Sequence, residues 1–135
     1  MDPLNYRQDG KSMKLPIEGL VSRVLSSSPI FTVDIGDQRY TLMAESSVRA
    51  LNGQGAEWNA DDPASIAEEL TGVMDGGVVT TASTRPGGTL VIGFDSGASV
   101  SFMSDPDYES WWIVGSDGFR VVCTPGGKLT VWDPQ

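Results

Sequence analysis

Short apolar runs alternate with glycine-containing turns along most of the chain. The turns recur roughly every 8–12 residues, a spacing typical of antiparallel sheet. Within the runs apolar and polar residues alternate, as in Leu90–Phe102, so that one side of each strand faces a core. We therefore predict one α+β domain over residues 15–135, mainly antiparallel β with about eight or nine strands. Residues 1–14 lack the pattern, and we predict a flexible lead-in there.

One segment breaks the alternation and predicts a single short helix at about residues 63–71. Asp62 stands at the N-cap position, a proline follows it, and Gly72 stands just past the predicted end. Ile66 and Leu70 are four residues apart and hence on one face. We expect that face to be buried.

The chain also resembles itself at a displacement of about sixty residues, which indicates two related β-units. Gly19–Arg23 matches Gly77–Thr81, and the strand pairs Phe31–Leu42 and Leu90–Phe102 follow. The alternative is that meanders with glycine turns look alike without being related.

Facing apolar residues predict the registers of three hairpins, because directly opposed residues share a face. Two hairpins have three-residue loops with glycine in the left-handed position, and one has a two-residue loop. The predicted pairs are Phe94–Ala98, Ile92–Val100 and Leu90–Phe102 around Asp95–Gly97; Cys123–Leu129 and Val121–Val131 around Pro125–Gly127; and Ile35–Gln38, Val33–Tyr40 and Phe31–Leu42 around Gly36–Asp37.

The strands that flank the turn Ser116–Gly118 are apolar on both faces, so we do not expect a sheet with one solvent-exposed face there. One face should meet the first β-unit, and the other should meet the helix or a partner. The register predicts that one face holds Trp112, Val114, Phe119, Val121 and Cys123. The opposite face then holds Trp111, Ile113, Arg120, Val122, Thr130 and Trp132.

Charge narrows the function classes. The chain has 18 acidic and 9 basic residues, a net charge of −9, which argues against nucleic-acid and anionic-membrane partners. It has no histidine, which removes histidine-based catalysis and most transition-metal sites. A single cysteine excludes an internal disulfide, and no run of 18 apolar residues occurs, so we expect a cytoplasmic protein.

Few residues carry reactive chemistry, and we predict no catalytic residue, no metal and no cofactor. Cys123 alternates in phase with the core and has no histidine to activate it, so we predict a buried thiol. Asp105, Asp107 and Glu109 alternate along the chain, and an extended backbone would point all three the same way, which suits Ca²⁺. The central glycine and final glutamate of a calcium loop are missing, however.

The distribution of charge is more informative. Residues 50–119 hold eleven acidic residues and one base, Arg85, a net charge of −10. Acids mixed with aromatic residues steer and anchor a basic protein partner, although a solvated acidic surface would have the same composition. The residues that we predict to bind a partner are Asp105, Asp107, Tyr108, Glu109, Trp111 and Trp58.

The C-terminal half carries the run Tyr108–Trp111, of sequence Tyr-Glu-Ser-Trp, followed by Pro-Gly-Gly and Leu-Thr-Val-Trp up to Trp132. Over residues 77–132 this pattern resembles a family of small bacterial, mainly actinobacterial, proteins of unknown function. The match is looser over Ile17–Leu51. Small acidic domains of this sort also resemble immunity proteins of bacterial toxin systems.

Together these features favour a non-enzymatic immunity-type inhibitor that occludes a basic toxin or effector surface. The alternative is a small-ligand-binding module, or a weak carboxylate-dependent hydrolase, with a pocket between the two β-units. A deep pocket that holds a carboxylate of raised pKa would favour the alternative.

Overall fold

The computed structural model describes residues 5–6 and 12–134 and places their strands in two antiparallel sheets. The seven-stranded sheet has the order β1 (Asn5–Tyr6), β12 (Leu129–Trp132), β11 (Arg120–Cys123), β10 (Trp111–Gly115), β4 (Tyr40–Ala44), β3 (Phe31–Ile35) and β2 (Ser22–Ser26). The five-stranded sheet has the order β6 (Glu57–Ala60), β5 (Val48–Leu51), β9 (Ser99–Phe102), β8 (Leu90–Phe94) and β7 (Val79–Thr84). The predicted class is confirmed. The strands outnumber the prediction because short strands such as β1 and β6 carry no clear alternation.

The two halves of the chain have the same strand order, as two related β-units require. The meander β2–β3–β4 lies in the larger sheet and continues as β5–β6 in the smaller one. The meander β7–β8–β9 lies in the smaller sheet and continues as β10–β11 in the larger one. Consequently β4 pairs with β10, and β5 pairs with β9. Each unit therefore completes the sheet of the other.

The core lies between the two sheets and is filled by their inward-facing side chains. Phe31 from the larger sheet and Phe102 from the smaller one have ring centroids 6.2 Å apart. Every second residue of β3, β4, β8 and β10 is buried. The largest side chain in this core is Trp111, which is fully buried.

The predicted helix is present as a 3₁₀ turn, Pro63–Ile66, followed by α1, Ala67–Met74. The Asp62 Oδ1 atom accepts a hydrogen bond from the Ser65 backbone N–H at 3.0 Å, which confirms the predicted cap. The prediction that Gly72 lies past the helix end is wrong. The helix continues to Met74, three residues past the predicted end, and the Met74 side chain is fully buried in the core.

Two of the three predicted hairpin registers are confirmed. Leu90 pairs with Phe102 and Cys123 pairs with Leu129, so both loops contain three residues. The third register is wrong by two residues, since Val33 pairs with Leu42 rather than with Tyr40. The predicted pairs Ile35–Gln38 and Phe31–Leu42 are replaced by Ile35–Tyr40 and Phe31–Ala44.

A four-residue loop, 36–39, causes that shift. Gly36, Asp37 and Gln38 all have positive φ angles, of 79°, 55° and 73°. The Asp34 Oδ1 atom accepts a hydrogen bond from the Gln38 backbone N–H at 2.8 Å, which stabilises the longer loop. Because a shift of two residues keeps side chains on the same face, the predicted core face of β3 is nevertheless correct.

The predicted faces of β10 are wrong. Ile113 pairs with Val121 around a three-residue loop, so Trp111 and Ile113 face the core together with Val121 and Cys123. Trp112 pairs with Val122 and lies on the outer face of the sheet. A loop one residue longer or shorter would exchange the two faces, and this loop is the same length as those of the two confirmed hairpins.

The predicted lead-in falls mostly outside the described residues, which omit residues 1–4 and 7–11. Within the described part, β1 pairs with β12, and Lys14 forms a bridge to Ser83 of β7. None of the helices in the described part of the chain has the length and hydropathy needed to cross a membrane.

Candidate protein-binding surface

The two connections that switch sheets lie side by side at one end of the molecule. The Glu45 backbone N–H, between β4 and β5, donates a hydrogen bond to the Ser110 carbonyl at 2.9 Å. The Met103 backbone N–H, at the start of the β9–β10 connection, donates to the Ser47 carbonyl at 2.9 Å. The exchange of strands between the units therefore brings Glu45 beside the loop 103–110.

The loop 103–110 has a defined shape because its polar groups are hydrogen-bonded. The Asp105 Oδ1 atom accepts a hydrogen bond from the Asp107 backbone N–H at 2.8 Å. The Asp105 carbonyl accepts one from the Gly126 backbone N–H, also at 2.8 Å. These bonds leave Asp107, Tyr108 and Glu109 exposed, and Tyr108 is one of the few large side chains with much open surface, 44% of its area.

The electrostatic field at Tyr108 is negative. Partial burial raises the pKa of the Tyr108 hydroxyl, and the neighbouring Asp105 carboxylate raises it further through its charge and a hydrogen bond. The charges of Glu45 and Asp62 act in the same direction. Three separate segments thus place carboxylates around one exposed aromatic ring. We name this surface the acidic end, comprising Glu45, Asp61, Asp62, Asp105, Asp107, Tyr108 and Glu109.

An open groove of about 370 Å³ adjoins the acidic end. Its lining is mixed, with apolar side chains and one carboxylate: Ser47, Val48, Asn59, Ala60, Asp61 and Met103. A second groove, of about 330 Å³, lies between the β5–β6 loop, α1 and the β8–β9 loop and has no ionisable side chain in its lining. Neither groove is lined by two carboxylates, the arrangement that a hydrolase of the glycosidase type needs.

The structure brings together four of the six predicted partner-binding residues and separates the other two from them. Asp105, Asp107, Tyr108 and Glu109 lie in the one loop of the acidic end. Trp58 of β6 is half-buried and packs against the core. The prediction that Trp111 contacts a partner is wrong.

Trp111 is fully buried on the inner face of the larger sheet. Its indole Nε1–H donates a hydrogen bond to the Gly88 carbonyl at 2.9 Å, so both its ring and its polar atom are used inside the fold. The error follows directly from the exchanged faces of β10.

Three carboxylates of the acidic end, Glu45, Asp61 and Asp62, are absent from the predicted binding residues. Asp61 and Asp62 were counted only in the acidic stretch 50–119, and Asp62 was also assigned as the helix cap. Glu45 could have been found from the internal repeat. It follows β4 directly, and the equivalent strand β9 leads into the acidic loop.

The predicted buried thiol is confirmed. Cys123 is fully buried, and burial raises the pKa of its thiol. A raised pKa suppresses the thiolate, the reactive form of cysteine. Residues 12–134 contain no group of three or more metal-ligating side chains placed to hold an ion, and Asp105 turns its carboxylate toward its own loop.

A protein-family model described as Family of unknown function (DUF6188) matches residues 13–133 of the chain. No curated protein matches the chain, and no solved structure does. The match therefore shows a family relationship over nearly the whole chain, and the family description names no activity.

Proposed function

The chain belongs to the DUF6188 family, whose function is unknown, and we propose that it is a non-enzymatic, cytoplasmic binding protein whose acidic end covers a basic protein surface. The most concrete form of the proposal is an immunity-type inhibitor. Such a protein acts by occlusion, since its carboxylates attract the toxin or effector and its exposed aromatic ring anchors the complex.

The observation that carries the proposal is the exposed Tyr108 ring among carboxylates from three segments. The charged groups that act on its hydroxyl are Asp105, Glu45 and Asp62, all negative. Like charges held close together repel one another, and a basic partner relieves that repulsion on binding. Tyrosine is enriched among residues that dominate binding energy, because it combines a large apolar ring with a polar tip.

The loop that carries these groups is already ordered. Hydrogen bonds to Asp105 from Asp107 and from Gly126 hold its backbone, and Glu45 is tied to Ser110. A loop that is held in one shape before binding loses little conformational entropy when the complex forms. The acidic end therefore suits tight binding better than a flexible acidic tail would.

The adjoining groove indicates what part of a partner it receives. Ala60 and Met103, both half-buried, provide apolar surface, and the exposed Asp61 provides a carboxylate. A lysine or arginine side chain combines an aliphatic stem with a cationic head, and it fits such a mixed lining. We expect the partner to insert one basic side chain there.

The test is affinity capture of partners with matched baits, followed by quantitative mass spectrometry. The wild-type bait is compared with Tyr108→Ala and with the triple neutralisation Asp105→Asn, Asp107→Asn and Glu109→Gln. Asparagine at position 105 keeps the oxygen that accepts from Asp107, so the loop is retained. We expect one basic protein to be captured by wild type and lost with both variants, and its activity to be inhibited at equimolar wild type.

A second triple neutralisation serves as the control because it removes the same charge elsewhere. Asp37→Asn, Glu68→Gln and Glu69→Gln lie on the β3–β4 loop and on α1. This bait should still capture the partner. Equal loss with both triple variants would show that only the net charge matters, and the proposal would then be wrong.

A further inference from the structure

The outer face of the seven-stranded sheet consists of two cross-strand rows with a different character from the acidic end. The first row runs Thr32, Met43, Trp112, Val122 and Thr130, in the order β3, β4, β10, β11 and β12. The second row runs Asp34, Thr41, Val114, Arg120 and Trp132 over the same strands. Large apolar side chains thus occupy the middle of this sheet face, where Trp112 and Val114 are half-buried and Val122 is 5% exposed. Helix α1 packs elsewhere, against β2, β5 and β9.

The charges on this face are few, although the chain carries a net charge of −9: the two rows hold one carboxylate, Asp34, and one guanidinium, Arg120, and Arg23 of β2 lies beside Asp34 at the rim. Asp34 and Arg120 lie at matching positions in the second row, each one strand away from the central pair β4–β10. The ion pairs of residues 12–134 join Lys14 to Glu18 and Arg49 to Glu57, so neither Asp34 nor Arg120 forms one within the described chain. The Arg120 guanidinium instead stacks over the Trp132 ring of its own chain, 5.0 Å from the ring centroid. Three strand spacings, about 14 Å, separate them, which is too far for a direct contact.

From this arrangement we infer that the face binds a second copy of the same chain. A two-fold axis in the plane of the interface, parallel to the strands and midway between β4 and β10, exchanges β3 with β11. It therefore sets Asp34 of each copy against Arg120 of the other, so that the dimer contains two Asp34–Arg120 ion pairs. A row whose charges are opposite about its own midpoint is the pattern that a two-fold contact requires, because the same patch must complement itself.

The same axis produces a matched contact in the first row. It exchanges β4 with β10 and sets Met43 of one copy against the Trp112 ring of the other, and thioether–aromatic contacts of this kind are favourable. Face-to-face packing of sheets with nearly aligned strands is a common arrangement, so the geometry needs no distortion of the sheets.

Sedimentation velocity at increasing concentration tests this dimer. The measurement runs from about 1 µM to about 500 µM, since an interface no larger than one small sheet face is at the low end of stable interfaces. We expect wild type to double in mass across that range. Arg120→Asp alone and Asp34→Arg alone place like charges together and should weaken association by about tenfold or more.

An equimolar mixture of these two variants is the decisive sample. In the mixed dimer each reversed charge faces its new complement, so the mixture should associate at least about tenfold more tightly than either variant alone. A monomeric wild type at every concentration, or a mixture no tighter than its components, would overturn the inference. The triple neutralisation at the acidic end should leave the dimer intact, which separates this result from the fate of the proposed function.

Asp34→Asn is the control for a folding defect in Asp34→Arg. The Asp34 carboxylate accepts the hydrogen bond from Gln38, so arginine at this position also disturbs the β3–β4 loop. Asparagine keeps an acceptor oxygen and removes only the charge. If Asp34→Arg melts at a lower temperature, Asp34→Asn must still weaken the dimer, and an unchanged association constant for that variant contradicts the inference.

Discussion

The inner and outer faces of the seven-stranded sheet are similar in composition and different in role. Each face takes one tryptophan from β10 together with aliphatic side chains of β10 and β11. On the inner face Trp111 and Ile113 are fully buried against the other sheet, whereas on the outer face Trp112 and Val114 keep part of their surface open. Apolar composition therefore identifies these strands without showing which face is the core. That choice depends on where the second β-unit lies and on the length of one turn.

Truncation of the two neighbouring tryptophans gives the largest expected contrast. Trp111→Ala removes a fully buried ring and leaves the Gly88 carbonyl without the indole donor. We expect the free energy of unfolding to fall by about 3–5 kcal/mol. Trp112→Ala opens no internal cavity and should cost about 1 kcal/mol, measured for the monomer at low concentration. Urea denaturation of both variants measures the difference, and a larger loss for Trp112→Ala would mean that the β10–β11 register is wrong.

Thiol labelling gives a second contrast between the same two faces. Cys123 lies on the inner face and is fully buried, so a thiol reagent reaches it only when the protein opens. We expect labelling of the native protein to be about a thousandfold slower than in denaturant. The comparison variant Cys123→Ser with Thr130→Cys puts the thiol on the outer face, where labelling should be fast. Similar rates for both thiols would contradict the burial of Cys123.

A smaller effect is expected where the β7–β8 loop of the smaller sheet touches the β11–β12 loop of the larger one. Gly88 follows β7 with a φ angle of 91°, and a Cβ atom there would lie 2.5 Å from the Gly127 carbonyl oxygen. Gly88→Ala should therefore lower the free energy of unfolding by about 2–3 kcal/mol, from backbone strain plus overlap. Gly87→Ala is the matched control, because its φ angle is similar and no atom lies near its Cβ position. Thermal melts that show equal losses for both would mean that the loops are not in close contact.

The loops and strand faces tested above include some that the sequence predicts correctly and some that it does not. Glycine positions determine two of the loops, and alternation then sets Leu90 opposite Phe102 and Cys123 opposite Leu129. The length of the loop 36–39 was not predicted because Asp37 and Gln38 adopt positive φ angles, which residues other than glycine seldom adopt. The faces of β10 were missed because a loop of one residue more or less fits the same apolar pattern.

The residues of the acidic end also divide into those that the sequence predicts and those that only the fold brings together. Asp105, Asp107, Tyr108 and Glu109 are contiguous, so their composition alone selects them. Glu45 and Asp62 reach Tyr108 only because the two β-units exchange strands. Contacts between segments that lie far apart in sequence depend on the topology, which local patterns do not determine.

The smallest expected effect is the titration of Tyr108, which tests the acidic end without a partner. Its pKa lies above the ordinary value of 10.0, through partial burial and then the Asp105 charge. Phenolate absorbance, taken as the difference between wild type and Tyr108→Phe, should show this raised midpoint. Asp105→Asn should bring it down toward 10.0 without reaching it, because the burial contribution remains.

The same shift has a defined consequence for stability. A folded-state pKa above the unfolded value means that the folded chain holds this proton more tightly. The contribution to stability is therefore fully present below pH 10.0 and is lost as the pH rises through the folded-state pKa. Wild type should lose stability above that pH more steeply than Tyr108→Phe, and added salt should reduce the difference by screening the carboxylates. A Tyr108 midpoint that does not respond to Asp105→Asn would show that the carboxylates do not act on the ring, and the acidic end would then be an ordinary solvated surface.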